Sequence, residues 1–149
     1  MLKDATAIVG IGETPFAKRL AESEKELAAR AILAALEDAG IAPDEVDGLS
    51  SYTMETNDEV EIAKNVGLGD VTFFSQVGYG GGAGPATVGH LAMAVATGQC
   101  RVGVAWRSRK RGSGQRPWAS MQQPSVSATF TRPFGLLRPV DEIAVLTRR

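Results

Sequence analysis

Cysteine and histidine are nearly missing: Cys100 and His90 are single occurrences in 149 residues. A disulfide framework within the chain is therefore excluded, as is any zinc cage built from cysteine and histidine alone. No stretch reaches the roughly 18 consecutive apolar residues of a membrane-spanning helix. The opening Met1-Leu2-Lys3-Asp4 also lacks the basic-then-apolar layout of a secretory leader. These absences predict a cytoplasmic chain with no membrane span. Acidic residues are absent too from the whole interval between Val71 and Val140.

What is present is unevenly divided. Residues 1–70 hold 15 acids against 6 bases, whereas residues 71–149 hold 10 bases and only Asp141 and Glu142 as acids. Arg101, Arg107, Arg109, Lys110, Arg111 and Arg116 crowd together. That stretch suits an anionic ligand or an acidic partner surface, although a solvated basic loop accounts for it equally well. Hydrophobic residues make up 44% of the chain and charged residues 22%, enough apolar material for one globular core. No nucleic-acid partner is expected.

The pattern along the chain predicts an α/β protein. Thr6-Ala-Ile-Val-Gly-Ile11 reads as a buried first strand. Ser23-Glu-Lys-Glu26 is a capping box ahead of Leu27, Ala31, Ala34, Ala35 and Ala39 at helical spacing, and Gly40 stands where a left-handed cap is wanted. Pro43 opens a turn, Gly48–Tyr52 reads as a short strand, and Asn57-Asp58 caps a second helix that Gly67 closes. Val71–Val77 is a third strand by its β-branched and aromatic content. Pro85 is expected at the first position of a third helix running to about Thr97, apolar nearly all round and so buried. Arg101–Trp106 completes a βαβαβαβ order with mainly parallel strands. From Arg107 to Arg138 no period is found, a span far beyond the usual connection of about 4–6 residues. Pro139 then opens a helix that lacks a cap before Arg149.

Candidate chemistry centres on Val77-Gly-Tyr-Gly-Gly-Gly-Ala-Gly-Pro85, between a strand and a helix. Gly78-x-Gly80-x-x-Ala83 formally fits a dinucleotide fingerprint, but the acid wanted about 20 residues later is missing. Only a 2′-phosphate held by Arg107 or Arg109 would evade that objection. Gly10-x-Gly12 fails because Pro15 fills the third glycine position. A glycine run lets backbone approach a ligand closely and aims the helix amides and dipole beyond Gly84, which suits a thioester carbonyl or an anion. A tight strand-to-helix turn explains the same run structurally. His90 reads as a core or interface residue and Cys100 as a small hydrophobe without an activating base nearby. Tyr79 is a pocket or plug residue. Tyr52-Thr-Met-Glu-Thr-Asn57 leaves the strand end where open α/β sheets bind ligands, with Glu55 equally readable as a solvated charge.

Ala7-Ile-Val-Gly-Ile-Gly-Glu-Thr-Pro-Phe16, Ala39-Gly-Ile-Ala-Pro-Asp-Glu-Val-Asp-Gly48, the glycine-rich elbow and Ala96-Thr-Gly-Gln99 together resemble the amino-terminal half of the thiolase superfamily. The likeness is to its sterol-carrier and lipid-transfer-like branch. It implies a half-sandwich of αβα layers over residues 1–106, a partial loop domain over 107–149 cut short at Arg149, and homodimers. Condensing members carry a nucleophilic cysteine at the elbow; here Gly84, Pro85 and Ala86 occupy that region. Acylation there is thereby disfavoured. The chain is more similar to the cysteine-independent aldolases of steroid side-chain degradation, which cleave a β-hydroxyacyl-CoA and work with a small OB-fold (DUF35) partner. The resemblance implies a CoA thioester as substrate, with no covalently bound cofactor and no metal. It also implies a pocket wall from Met54, Tyr79, Gly82, Gly84 and Pro85, with Arg107 and Arg109 toward the CoA and the principal acid/base groups beyond Arg149. A non-catalytic lipid- or acyl-CoA-binding subunit, or an acetyl-CoA acyltransferase, are the rival readings.

Overall fold

The computed structural model describes residues 3–17, 19–53, 55–78, 82–110, 130, 132–136 and 139–148. They belong to two units, Met1–Gly114 and Gln115–Arg149.

In the first unit, helix α1 (Glu24–Ala39) starts at Ser23, whose hydroxyl accepts the Glu26 N–H at 3.1 Å. One of the amides left open at a helix start is thereby satisfied. Glu26 contributes only half of the expected capping box, because its carboxylate pairs with Arg30 one turn later at 2.8 Å. Gly40 ends the helix with φ at 66°, a left-handed angle that costs glycine little. Strand β1 (Gly48–Tyr52), helix α2 (Glu59–Val66), strand β2 (Phe73–Val77), helix α3 (Ala83–Ala96) and strand β3 (Gly103–Ala105) follow. Asp58 caps α2 through the N–H groups of Val60 and Glu61.

The strands lie in the order β2-β1-β3, both pairings parallel, with Leu49 opposite Phe74 and Val104. The expected α/β class with a parallel sheet is what the structure has. Alternate strand residues face opposite sides, so the sheet has two different faces. Leu49, Val104 and Trp106 join Ile32 of α1 and Ile62 of α2 in the main core. The opposite face presents glycine and serine to α3. A Cβ placed on Gly103 would lie 2.6 Å from Leu91 Cδ2, and one on Gly48 would lie 2.7 Å from Cys100 Sγ. Absence of side chains at these two positions is what lets α3 and its following turn sit against the sheet.

Three further expectations need correction. Thr6–Ile11 forms no strand and pairs with no described strand, and Ile8, Val9 and Ile11 are 73%, 61% and 77% exposed. The segment instead lies on α1: a Cβ on Gly10 or Gly12 would run into the backbone of Ala35 or Ala31, and the Ile11 N–H donates to Asp38 Oδ2 at 3.0 Å. The two glycines that imitate a nucleotide fingerprint serve this close crossing. Pro85 is the third residue of α3, not its first, because Ala83 and Gly84 already have helical backbone. Helix α3 is also buried on one side only: Thr87, Leu91 and Ala94 are covered, while Val88 and Met93 are 41% and 44% exposed. An apolar composition all round does not cover a helix that meets one layer.

In the second unit a short 3-10 turn, Arg132–Phe134, precedes helix α4 (Pro139–Leu146), which starts at the expected proline. The Thr147 hydroxyl donates to the carbonyls of Ile143 and Ala144 at its end. Most of the aperiodic interval between Arg107 and Arg138 lies outside the described residues. Among the described residues no helix is long and apolar enough to cross a membrane.

All three strands are tied together where they begin. The Asp47 carbonyl accepts the N–H groups of Thr72 and Phe73, while its carboxylate accepts those of Arg101 and Val102 at 2.9–3.0 Å. An asparagine has a single acceptor oxygen and would turn an NH2 group toward amide donors. Asp47→Asn is therefore expected to lower unfolding stability by about 1–3 kcal/mol, read from urea denaturation; an unchanged midpoint would show that these bonds are replaced by water without loss.

Candidate functional site

A parallel sheet fed by helices sends every helix amino terminus to the edge where the strands end. Here that edge collects Glu24 at the start of α1, Glu55 and Asp58 before α2, the Gly82–Pro85 turn at the start of α3, and Arg107–Lys110 beyond β3. Helix α3 has no side-chain cap at Gly82. Since Pro85 has no N–H, the first-turn amides directed outward belong to Ala83 and Gly84. Among the described residues a Cβ on Gly82 or Gly84 would meet no atom within 4 Å, while Ala83 between them is buried. Thr87, the hydroxyl nearest in sequence, is committed to the Gly84 carbonyl at 2.6 Å. The arrangement offers amide donors and a positive helix end to a carbonyl oxygen or anion, with no nucleophile beside them among the described residues.

The basic side of the edge is built by long-range hydrogen bonds. Tyr52 ends β1 in a buried position, and the Arg107 guanidinium lies over its ring, 5.2 Å from the centroid. Such stacking holds a cation by the ring's electrostatic face. Ser108 is buried; its N–H donates to Glu55 Oε2 at 2.7 Å and its hydroxyl to the Glu24 carbonyl at 2.6 Å. The Lys110 N–H donates to Glu24 Oε1 at 2.6 Å, the Thr56 hydroxyl donates to Glu24 Oε2, and Arg109 Nη1 stands 3.9 Å from that carboxylate. Glu55 Oε1 accepts the Thr56 N–H and the Asn57 side-chain amide. Burial by itself raises the Glu24 carboxyl, but the Lys110 N–H, the Thr56 hydroxyl and the charges of Arg109 and Lys110 outweigh it, leaving the group below its ordinary 4.5.

Of the residues expected to form a site, Gly82, Gly84 and Pro85 lie together at the start of α3, and the arginines share the same edge by topology. The two arginines diverge: Arg107 lies over Tyr52, Arg109 turns to Glu24. Met54 and Tyr79 lie outside the described residues. His90 is half-buried on α3, two turns from its start. Cys100 is 3% exposed at the other end of α3, against Gly48. With 14 residues in the helix, it is about 20 Å from the Gly82 turn. Burial, reinforced by the Asp47 charge, pushes its thiol up, so it is a poor thiolate. Glu24 and Ser108 are the residues sequence reading missed, and Glu55 the one it left undecided: the bonds that join them to each other and to Lys110 span 53 to 86 positions, and no local pattern carries that pairing. Among the described residues, the Thr53 hydroxyl and Trp106 Nε1 are buried without a hydrogen-bond partner beside the same strand ends.

No family model matches the sequence. The chain is 46% identical over 157 aligned positions to the 17-hydroxy-3-oxo-4-pregnene-20-carboxyl-CoA lyase of Mycobacterium tuberculosis, covering all of this chain and 40% of that protein. It is 45% identical over 156 positions to a steroid side-chain-cleaving aldolase of Thermomonospora curvata, with the same coverage of 100% and 40%. It thus spans two fifths of the length of these curated relatives. Among solved structures, the Ltp2-ChsH2(DUF35) aldolase matches 96% of this chain and 37% of its own with a TM-score of 0.83 at 45% identity. A monomeric SCP2-thiolase-like protein from Mycobacterium smegmatis matches 66% of this chain and 22% of its own with a TM-score of 0.54 at 24% identity, a likeness of fold alone.

Two outcomes follow from the site. Alkylation of Cys100 in the folded protein should be on the order of a hundredfold slower than in urea, since reaction requires opening of a buried, protonated thiol; equal rates would show the cysteine to be accessible. Glu24 has a depressed folded pKa, so the stability it adds is present above its ordinary 4.5 and is lost as pH falls through the lower folded value. The gap in urea midpoint between wild type and Glu24→Gln should therefore shrink on acidification from about pH 6 to about pH 3, and a pH-independent gap would contradict the assignment.

Proposed function

The chain carries the thiolase-like fold and is homologous to steroid side-chain-cleaving aldolases; from that premise we propose that the protein it belongs to cleaves a β-hydroxyacyl-CoA by retro-aldol chemistry. A general base removes the proton of the β-hydroxyl, the bond between the hydroxyl-bearing carbon and the α-carbon breaks, and the electron pair enters the thioester as an enolate. Protonation of the α-carbon then releases a ketone and a shortened acyl-CoA. Atoms balance without an oxidant or an acyl-enzyme.

One observation carries this reading. The start of α3 keeps its outward amides, at Ala83 and Gly84, while Pro85 and the committed Thr87 offer no nucleophile, and Cys100 is buried at the opposite end. Amides aimed at a developing oxyanion stabilise an enolate as well as they stabilise a tetrahedral adduct, so the elbow remains useful after the cysteine is gone. In this reading Met54, Tyr79, Gly82, Gly84 and Pro85 line the acyl side, Arg107 and Arg109 face the CoA phosphates, and the base comes from outside these 149 residues. Residues 1–106 are the thiolase-like half and 107–149 part of a loop domain. In this reading the protein acts in the cytoplasm as a homodimer; the name of one structural neighbour, which includes DUF35, supports a partner of that type, expected to be an OB-fold protein.

Incubation of the full-length protein and that partner with a 17-hydroxy steroid carrying a propionyl-CoA side chain should give the 17-ketone and propionyl-CoA, with no acyl adduct in the intact mass. Cys100→Ser should keep turnover within a few fold. A loss of about a thousandfold, the scale for removing a nucleophile, or thiolysis of acetoacetyl-CoA would restore an acyltransferase. Tight thioester binding without products would instead mark a lipid-binding subunit.

A further inference from the structure

We propose that Glu55 and Glu24 are positioning residues that set the segment Arg107–Lys110 against the carboxyl edge of the sheet and thereby fix the affinity for the phosphate-bearing part of the thioester. The proposal rests on the reading of Arg107 as a CoA-facing residue.

The gripped residues interleave with the cationic ones. Glu55 takes the Ser108 N–H at 2.7 Å and Glu24 takes the Lys110 N–H at 2.6 Å, while the Ser108 hydroxyl reaches the Glu24 carbonyl at 2.6 Å. With the backbone held at 108 and 110, the side chains of 107 and 109 leave the chain in defined directions, one over Tyr52 and one toward Glu24. Without these bonds the segment has no sheet ladder to hold it, since β3 ends at Ala105. A cation on a freely moving segment loses more entropy when an anion binds than one already held, so the hold translates into affinity.

The chemistry of Glu55 is specific to an ionised carboxylate. All three of its partners, the N–H groups of Ser108 and Thr56 and the Asn57 amide, are donors shared between its two oxygens. Glutamine supplies one acceptor oxygen and an NH2 that faces donors. Glu24 differs, because one of its oxygens meets the Thr56 hydroxyl, which can reverse its bond and accept from a glutamine. Glu55→Gln should thus loosen the segment partly, Glu55→Ala fully, and Glu24→Gln least. Two anions so close to a phosphate site would also repel it; engaging their oxygens with amide donors reduces that cost.

The test compares wild type with Glu55→Ala, Glu55→Gln and Arg107→Ala in the full-length protein. Amide hydrogen exchange over residues 107–110 reads the hold, and calorimetric binding of free CoA reads its consequence. Expected are exchange accelerated about tenfold or more in Glu55→Ala, CoA affinity and KM for the thioester worsened about tenfold, kcat within about twofold, and Glu55→Gln between the two, as one lost charge-assisted bond implies. Unchanged exchange, or faster exchange with unchanged CoA affinity while Arg107→Ala weakens it, overturns the positioning role and leaves the CoA reading standing. Unchanged CoA affinity in Arg107→Ala overturns the CoA reading itself, and this inference with it. If Glu55→Ala does not fold, the intermediate behaviour of Glu55→Gln decides.

Discussion

Asp47 stands one residue before β1, and through it the three strands share a common starting line. Its carbonyl receives the chain entering β2 and its two carboxylate oxygens receive the chain entering β3. Parallel strands cannot be set in register by a tight turn between neighbours, because each return passes through a helix. A group that bonds the first amides of two separate strands supplies the register instead. Given that line, Leu49 falls opposite Phe74 and Val104; a slip of one residue would exchange the core face for the face against α3. The glycines at 48 and 103 would then no longer face Cys100 and Leu91, and α3 would lose its close seat.

What the amino edge fixes, the carboxyl edge uses. Because the strands are parallel and each is followed by a helix or a loop at its carboxyl end, the helix starts converge at one edge, and the start of α3 carries no side-chain cap there. The same geometry explains why Cys100 is inert: it belongs to the end of α3 that turns back into the sheet, buried beside Asp47's charge. A thiol placed there is protonated by its surroundings and distant from the open turn. A nucleophile-free start of α3 among the described residues and a buried cysteine elsewhere are therefore compatible, and the second does not substitute for the first.

Local chemistry was legible in the sequence wherever a few neighbouring residues decide it. Ser23 and Asp58 cap helices through amides two or three positions on, Gly40 and Gly67 end them, and Pro139 starts one; each bond lies within a turn. Thr6–Ile11 shows where that stops: its apolar run reads as a strand, yet a strand exists only beside a partner, and none of the described residues pairs with it. Pro85 misled for a smaller reason, since any of the first-turn positions tolerates a missing N–H. Glu55 read equally as a solvated charge because its decisive partner, Ser108, is 53 residues away.

The uneven charge of the sequence acquires a physical account at this same edge. Acids are concentrated in residues 1–70 and bases in 71–149, a division that alone suggests an exposed basic arm. The fold brings the start of that arm to Glu24 and Glu55 of the acidic part, but the contacts are mainly to its backbone amides, and the Arg109 head group approaches Glu24 only at 3.9 Å. A strong ion pair would have consumed the guanidinium charge. Holding the chain by its N–H groups spends the carboxylates on position and leaves Arg107, exposed above Tyr52, with its charge available to an incoming anion. Segregation of charge along the sequence and anchoring through the backbone are in this sense one device: the acidic segment fixes where the basic segment stands, engaging Arg109 and Lys110 through Glu24 while Arg107 stacks on Tyr52.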